Sequence, residues 1–203
     1  LGVFKYFGFF AESLAALFEG FGVHLDWVTL NIVLPVGISF YTFQALSYTI
    51  DLYWRKIDYC RDIVAFFAFV SFFPQLVAGP IEKASNLLPQ FMAPRRFDYG
   101  QAVDGMRQML WGFFKKLVIA DNCARVVNPI FACPGNYDGT ELLLCAFLFS
   151  FQIYGDFSGY SDIAIGTAKL FGVRLTQNFN VPYFARNLAE FWRRWHITLM
   201  LWF

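Results

Sequence analysis

The sequence predicts an all-α, multi-pass membrane protein, and three observations carry that prediction. Of its 203 residues, 58% are hydrophobic and 15% are charged, whereas a soluble domain has about 45–50% apolar and about 25% charged residues. No charge occurs from Trp27 to Ile50, a run that as a helix rising about 1.5 Å per residue would cross a hydrocarbon core about 30 Å thick. The polar residues of YGDFSGYSDIAIG crowd together inside otherwise apolar sequence, the mark of a sheltered site rather than of a lipid-facing surface.

In chain order, the opening LGVFKYFGFFAESLAALF lacks a basic stretch followed by a small-residue cleavage site, so it reads as the tail of a membrane helix rather than a signal peptide. Trp27 to Ile50 is the first span. Ile63 to Ile81 is a second, broken one, because Pro74 and Gly79-Pro80 lie inside it and proline removes a backbone donor and clashes with the preceding turn. Gly105 to Ala120 and Phe191 to Phe203 are shorter and carry Lys115, Lys116, Arg193 and Arg194. Their long stems suit interfacial or re-entrant helices. Leu142 to Gly155 is too short to cross alone and continues through FSGYSDIAIGTA, whose Asp156 and Asp162 must face protein or water. Ser85 to Asp104 and Asn128 to Thr140, rich in Pro and Gly, are expected as loops. Basic residues flank the second span on both sides, so charge bias assigns no orientation. With no linker or repeat, residues 1–203 read as one unit; the Leu at position 1 and the uncapped ITLMLWF ending read as cut ends.

A net charge of +1 creates no field that would gather nucleic acid, so DNA and RNA drop out as partners. Cys60, Cys123, Cys133 and Cys145 form no C-x-x-C pair and only His24 and His196 accompany them, so no metal centre is expected. Phosphate-loop, dinucleotide, nucleophile-elbow and zinc-protease motifs are all absent.

The candidate site residues sit where polarity meets apolar sequence. Gln75, in FFPQLVAGPIEK, is as well suited to a cavity wall as to a helix end, while Glu82 is expected in water at the interface. Asp156 and Tyr160 lie four apart on one helical face, with Ser158 between them and Asp162 on another face; a hydrogen-bond network tying helices together, with an arginine as partner, is the plainest role for them. His196 is expected on a helical face with Trp192 and Leu199, with Glu190 pairing with Arg194 one turn apart. Desolvation by the neighbouring indoles would keep its imidazole neutral and able to take a proton from a hydroxyl. His24, in GVHLDW, is expected to be solvated. These features fit a membrane enzyme and a transporter equally.

Five segments, LPVGISFYTFQALSYTIDLYWRK, FFPQLVAGPIEKASNLLPQF, GFFKKLVIADNCA, YGDFSGYSDIAIGTAKLFGV and NFNVPYFARNLAEFWRRWHITL, span most of residues 34–199. Together they resemble the membrane-bound O-acyltransferases, in the bacterial branch of alginate O-acetylases and teichoic acid D-alanyl transferases. The resemblance implies broken, re-entrant and interfacial helices around a central funnel in the cell (inner) membrane. It also implies transfer of an acyl group, in this branch acetyl, to hydroxyls of a cell-surface polysaccharide such as alginate. His196 matches the family's W-H histidine; a second, principal histidine is expected beyond Phe203. The resemblance implies no bound cofactor. The acyl donor is a co-substrate, either a thioester or a group delivered by an acyl carrier protein, and membrane lipid and downstream acetyl-transfer proteins are the other partners. Gln75, Asp156, Ser158, Tyr160, Arg193 and Arg194 are expected to bind substrate or line the funnel. Acyl or glycan translocation by a carrier is the alternative function, and D-alanyl transfer the alternative chemistry.

Overall fold

A computed structural model describes residues 6–22, 37–77 and 79–202. His24 and residues 27–36 of the uncharged run from Trp27 to Ile50 lie outside the described residues. The described ones contain α1 (Phe7–Glu19), α2 (Ile38–Tyr53), α3 (Ile63–Val70), α4 (Ala84–Met92) and α5 (Tyr99–Phe113), then a π-helical segment (Phe114–Ala120). They continue with α6 (Asp121–Ala132), α7 (Gly139–Leu170), α8 (Leu188–Arg194) and α9 (Ile197–Trp202).

Two long antiparallel helices organise the rest. The first is a continuous rod in which α5, the π segment and α6 follow one another without a break; the second is α7, 32 residues long. Asp98 starts the rod by accepting the Gln101 N–H at 3.1 Å, and a reciprocal Asp138–Glu141 capping box starts α7 at 2.8 and 3.0 Å. Glycines bring the two backbones together. A Cβ on Gly112 would lie 2.7 Å from the Gly159 carbonyl oxygen, and one on Gly166 would lie 2.5 Å from that of Gly105. Within each helix these glycines are seven residues apart, which returns them to one face.

This pairing corrects several expectations. Gly105 to Ala120 is the middle of a long rod against α7, not a short helix of its own. The expected loops shrink, because α4 occupies the start of one and α6 extends to Ala132 through Pro129 in its last turn. The carboxylates of α7 are paired with lysines of the rod, not with arginines: Lys115 with Asp162, and Lys116 with Asp156 at 2.6 Å. The physical reason is register, since the π segment brings both consecutive lysines to bear on α7.

Among the described residues, α7 is the one helix whose length and apolarity suffice to cross a membrane; its 32 residues extend about 48 Å. Leu143, Leu144 and Phe147 are exposed along its first half, an apolar surface suited to lipid. Of the first expected span, the described part is Gly37 and α2. Gly37 takes φ +77° and a Cβ there would sit 2.9 Å from the Leu76 carbonyl oxygen, so α2 begins at Ile38 and continues to Tyr53. The second is broken as expected: α3 opens on the Asp62 cap, stops at Val70, and gives way to a single 3-10 turn at Phe73–Gln75. Phe69, Leu87, Ile165 and Val173 join α3, α4 and the end of α7 into one core, each large side chain contributing about 1.5–3 kcal/mol by burial.

Candidate active site

After α7 the chain turns at Gly172, where φ is +70°, and runs back without helix over the face of α7. Glu82 pins this return. It is only 2% exposed and accepts both the Thr176 N–H and, at 2.6 Å, the Asn86 amide, so the expectation that it lies in water is wrong: its charge is satisfied inside by two donors. Two residues on, Asn178 is completely buried.

A cavity of about 310 Å³ opens between the rod, α7 and residues 177–181. Gln108, Lys115, Tyr154, Ser158, Asp162 and Asn178 are among the residues around it. Asp162 is clamped from the rod by Lys115 and by Gln108 Nε2 at 2.9 Å. Ser158 is 1% exposed and, among the described residues, its hydroxyl has no partner at hydrogen-bond distance and angle, a group that a bound polar molecule would complete. A second cavity of about 420 Å³, walled by Phe151, Pro182, Tyr183 and Phe184, shares Trp111, Lys115, Tyr154 and Val181 with the first. A polar chamber thus adjoins an apolar one.

His196 lies on a break, not on a helical face with Trp192 and Leu199. α8 ends at Arg194, Trp195 is extended, and His196 itself takes φ +47° before α9 starts at Ile197. A non-glycine residue held in that left-handed region costs about 1–3 kcal/mol and persists only where its surroundings impose it. Here they do. Asn187 caps α8 by accepting the Glu190 N–H at 2.8 Å, Glu190 pairs with Arg194 at 2.5 Å as its spacing predicted, and the Arg194 carbonyl accepts the Asn180 N–H at 2.9 Å. The Glu190 carboxyl is held below the usual range by the Arg186 N–H it accepts and by Arg194.

The imidazole Nδ1 is 3.1 Å from Asn178 Oδ1, and the ring meets Phe157 edge-on at 4.8 Å. Phe157 in turn packs on Phe179, and Phe179 on Trp195. Burial among these rings holds His196 below the ordinary histidine value, so it is neutral at pH 7 and keeps one nitrogen lone pair. His196 is not among the residues lining either cavity; it is tied to the polar one by its hydrogen bond to the wall residue Asn178, and reaches the wall residue Phe179 only by way of Phe157.

The remaining predicted residues distribute unevenly. Ser158 faces the polar chamber. Asp156 is turned to Lys116, which also lies 5.5 Å over the Tyr160 ring, on a face of α7 away from the chamber. Gln75 is buried in the core beside α3, its amide donating to the Phe69 carbonyl at 3.4 Å while its Oε1 has no partner among the described residues. Arg193 is exposed and Arg194 serves the α8 ion pair. Sequence reasoning missed Lys115, Gln108 and Asn178. The adjacent lysines of GFFKKLVIA were a usable signal, since two charges inside an apolar run need partners; nothing around Asn178 distinguished it.

Residues 56–203 match the membrane-bound O-acyltransferase (MBOAT) family. The probable alginate O-acetylase AlgI of Azotobacter vinelandii is 43% identical over 202 residues, covering 100% of this chain and 40% of that protein. The peptidoglycan O-acetyltransferase of Helicobacter pylori is 37% identical over 98% of this chain and 42% of its own length. The teichoic acid D-alanyltransferase of Bacillus subtilis is 27% identical over 85% of this chain and 44% of its own length. The chain spans about two fifths of the length of these relatives. It belongs to the membrane-bound O-acyltransferase family.

Proposed function

We propose that the protein of which this chain is the matching part transfers an acyl group, acetyl by preference, to hydroxyls of a cell-surface polysaccharide of the alginate type. It works as a multi-pass protein of the inner membrane. The acetyl preference follows the higher identity to the alginate and peptidoglycan O-acetylases than to the D-alanyltransferase. The observation that carries the reading is a histidine held on a strained turn and hydrogen-bonded to Asn178, a wall residue of a polar chamber that adjoins an apolar one.

The chemistry follows from that arrangement. His196 takes the proton of the acceptor hydroxyl, sharing this work with the second histidine that the family resemblance expects beyond Phe203. The freed alkoxide forms a C–O bond to the acyl carbonyl, and the bond from that carbon to the donor, a thioester or carrier-borne ester, breaks. The departing thiolate or alkoxide recovers the proton from the imidazolium. Lys115 and the Ser158 hydroxyl are placed to hold polar groups in the chamber, and Trp111, Phe151 and Tyr183 suit the apolar part of the donor.

The test is acetyl transfer to polymer by the full-length protein in membranes, with His196→Gln beside wild type at equal abundance. Transfer is expected to fall on the order of 10²–10⁴-fold. Unchanged transfer would remove His196 from the mechanism, and movement of labelled intermediate across the membrane without transfer would replace the enzyme with a carrier.

A further inference from the structure

We infer that Asn178 is the positioning residue of His196: its side-chain oxygen fixes the imidazole as the Nδ1–H tautomer and leaves Nε2 as the proton acceptor. The inference rests on His196 taking part in transfer, and deepens that reading.

Groups that can only donate fix the orientation of the Asn178 amide. The Thr198 backbone N–H lies 3.3 Å from the Asn178 side-chain atom assigned as Oδ1. A backbone N–H cannot accept, so that atom must be the amide oxygen and not its nitrogen. The Thr198 hydroxyl agrees: it accepts the Ile81 N–H at 3.1 Å, and its own proton is free to point at Oδ1, 2.9 Å away. With the amide oriented this way, its nitrogen faces Ser161 Oγ at 3.3 Å. An amide oxygen has no proton to give, so the imidazole nitrogen 3.1 Å from it must be the protonated one. In a neutral ring the other nitrogen, Nε2, then carries the lone pair, and it meets no hydrogen-bond partner among the described residues.

Asn178 also shapes the turn. Its carbonyl accepts the Ile197 N–H at 2.9 Å, so one fully buried residue grips the backbone on the far side of His196 with its main chain and the imidazole with its side chain. The charged groups on the surrounding elements are engaged elsewhere. On the same stretch Glu190 pairs with Arg194, on α7 Asp162 pairs with Lys115, and Glu82 is held by Thr176 and Asn86. Asp156 is paired with Lys116, which also lies over the Tyr160 ring, Arg193 is exposed, and Tyr154 and Tyr183 pack around Trp195. No ion competes with Asn178 for Nδ1 among the described residues.

The experiment compares kcat/KM against pH for full-length wild type, Asn178→Asp, Asn178→Leu and His196→Gln in membranes. A carboxylate at position 178 still accepts from Nδ1 and Thr198 but favours the imidazolium. Asn178→Asp is therefore expected to move the acid limb to higher pH by about one pH unit or more. Asn178→Leu keeps the volume and removes the acceptor, and should lower kcat on the order of 10²-fold or more with KM changed less than about threefold. A folded Asn178→Asp with an unmoved limb overturns the inference. If His196→Gln is inactive while that limb stays put, only the positioning role fails; if His196→Gln is fully active, the catalytic reading beneath it fails. Should the Asn178 variants not accumulate, the ¹⁵N shifts of His196 in wild type, identified by difference from His196→Gln, decide. A protonated Nδ1 with a bare Nε2 supports the inference, and the reverse tautomer overturns it.

Discussion

The paired long helices and the turn that carries His196 are built on opposite terms. The rod and α7 touch through Gly105, Gly112, Gly159 and Gly166, whose backbones approach too closely for any side chain, so the fit is spread along many residues and is set by what is absent. The His196 turn has no such redundancy. Its left-handed residue, its imidazole and the start of α9 all depend on hydrogen bonds to Asn178. A scaffold can distribute its constraints, while a reacting group needs a few specific ones, and such groups are the ones most easily released by a single change.

The sharpest way to break the scaffold is electrostatic. Lys115→Met strands Asp162 beside the chamber and should destabilise the full-length protein by about 3–5 kcal/mol, seen as lost membrane abundance and a lower Tm in detergent. The double variant Lys115→Met with Asp162→Leu should recover most of that, because no buried charge is then left alone. Next in size, Gly112→Ala and Gly166→Ala each force a methyl against a facing carbonyl and should cost about 1–3 kcal/mol by the same readout, whereas Gly135→Ala, with nothing within 4 Å of its new Cβ, should stay within about 0.5 kcal/mol.

The turn should respond differently, losing activity before stability. Asn187→Ala removes the cap of α8 at a cost of about 1 kcal/mol, yet acetyl transfer at equal abundance should fall by a larger factor than that loss of stability explains. Smallest of all is the pH dependence of stability from His196. Burial lowers its folded value, so its contribution is complete above about pH 6.5, the ordinary histidine value, and declines as pH falls below it, because the unfolded chain then binds the proton first. Apparent Tm followed from pH 7.5 to 5.5 in wild type and His196→Gln checks this; equal slopes would contradict it.

How much of this was legible in the sequence differs in the same way. The helical class, the break near Pro74 and the Glu190–Arg194 pair follow from local spacing, and the structure contains them. The glycine spacing of seven is present in the sequence, but one helix does not reveal which other it faces, so local pattern alone suggests a short interfacial or re-entrant helix where the structure has the middle of a rod. Glu82 was placed in water because its partners, Thr176 and Asn86, belong to different parts of the fold. His196 was marked by its motif, yet its place on a break and its tie to Asn178 depend on a buried return strand of chain with no periodicity to announce it. Local patterns show where elements form; which buried polar group meets which is decided by tertiary packing.

Whether His196 handles the acceptor's proton is read most directly from the pH profile of acetyl transfer by the full-length protein. Wild type should show an acid limb below pH 6.5, in keeping with the depressed value of the buried imidazole, and the residual activity of His196→Gln should lack that limb. The same limb in both proteins would contradict the account.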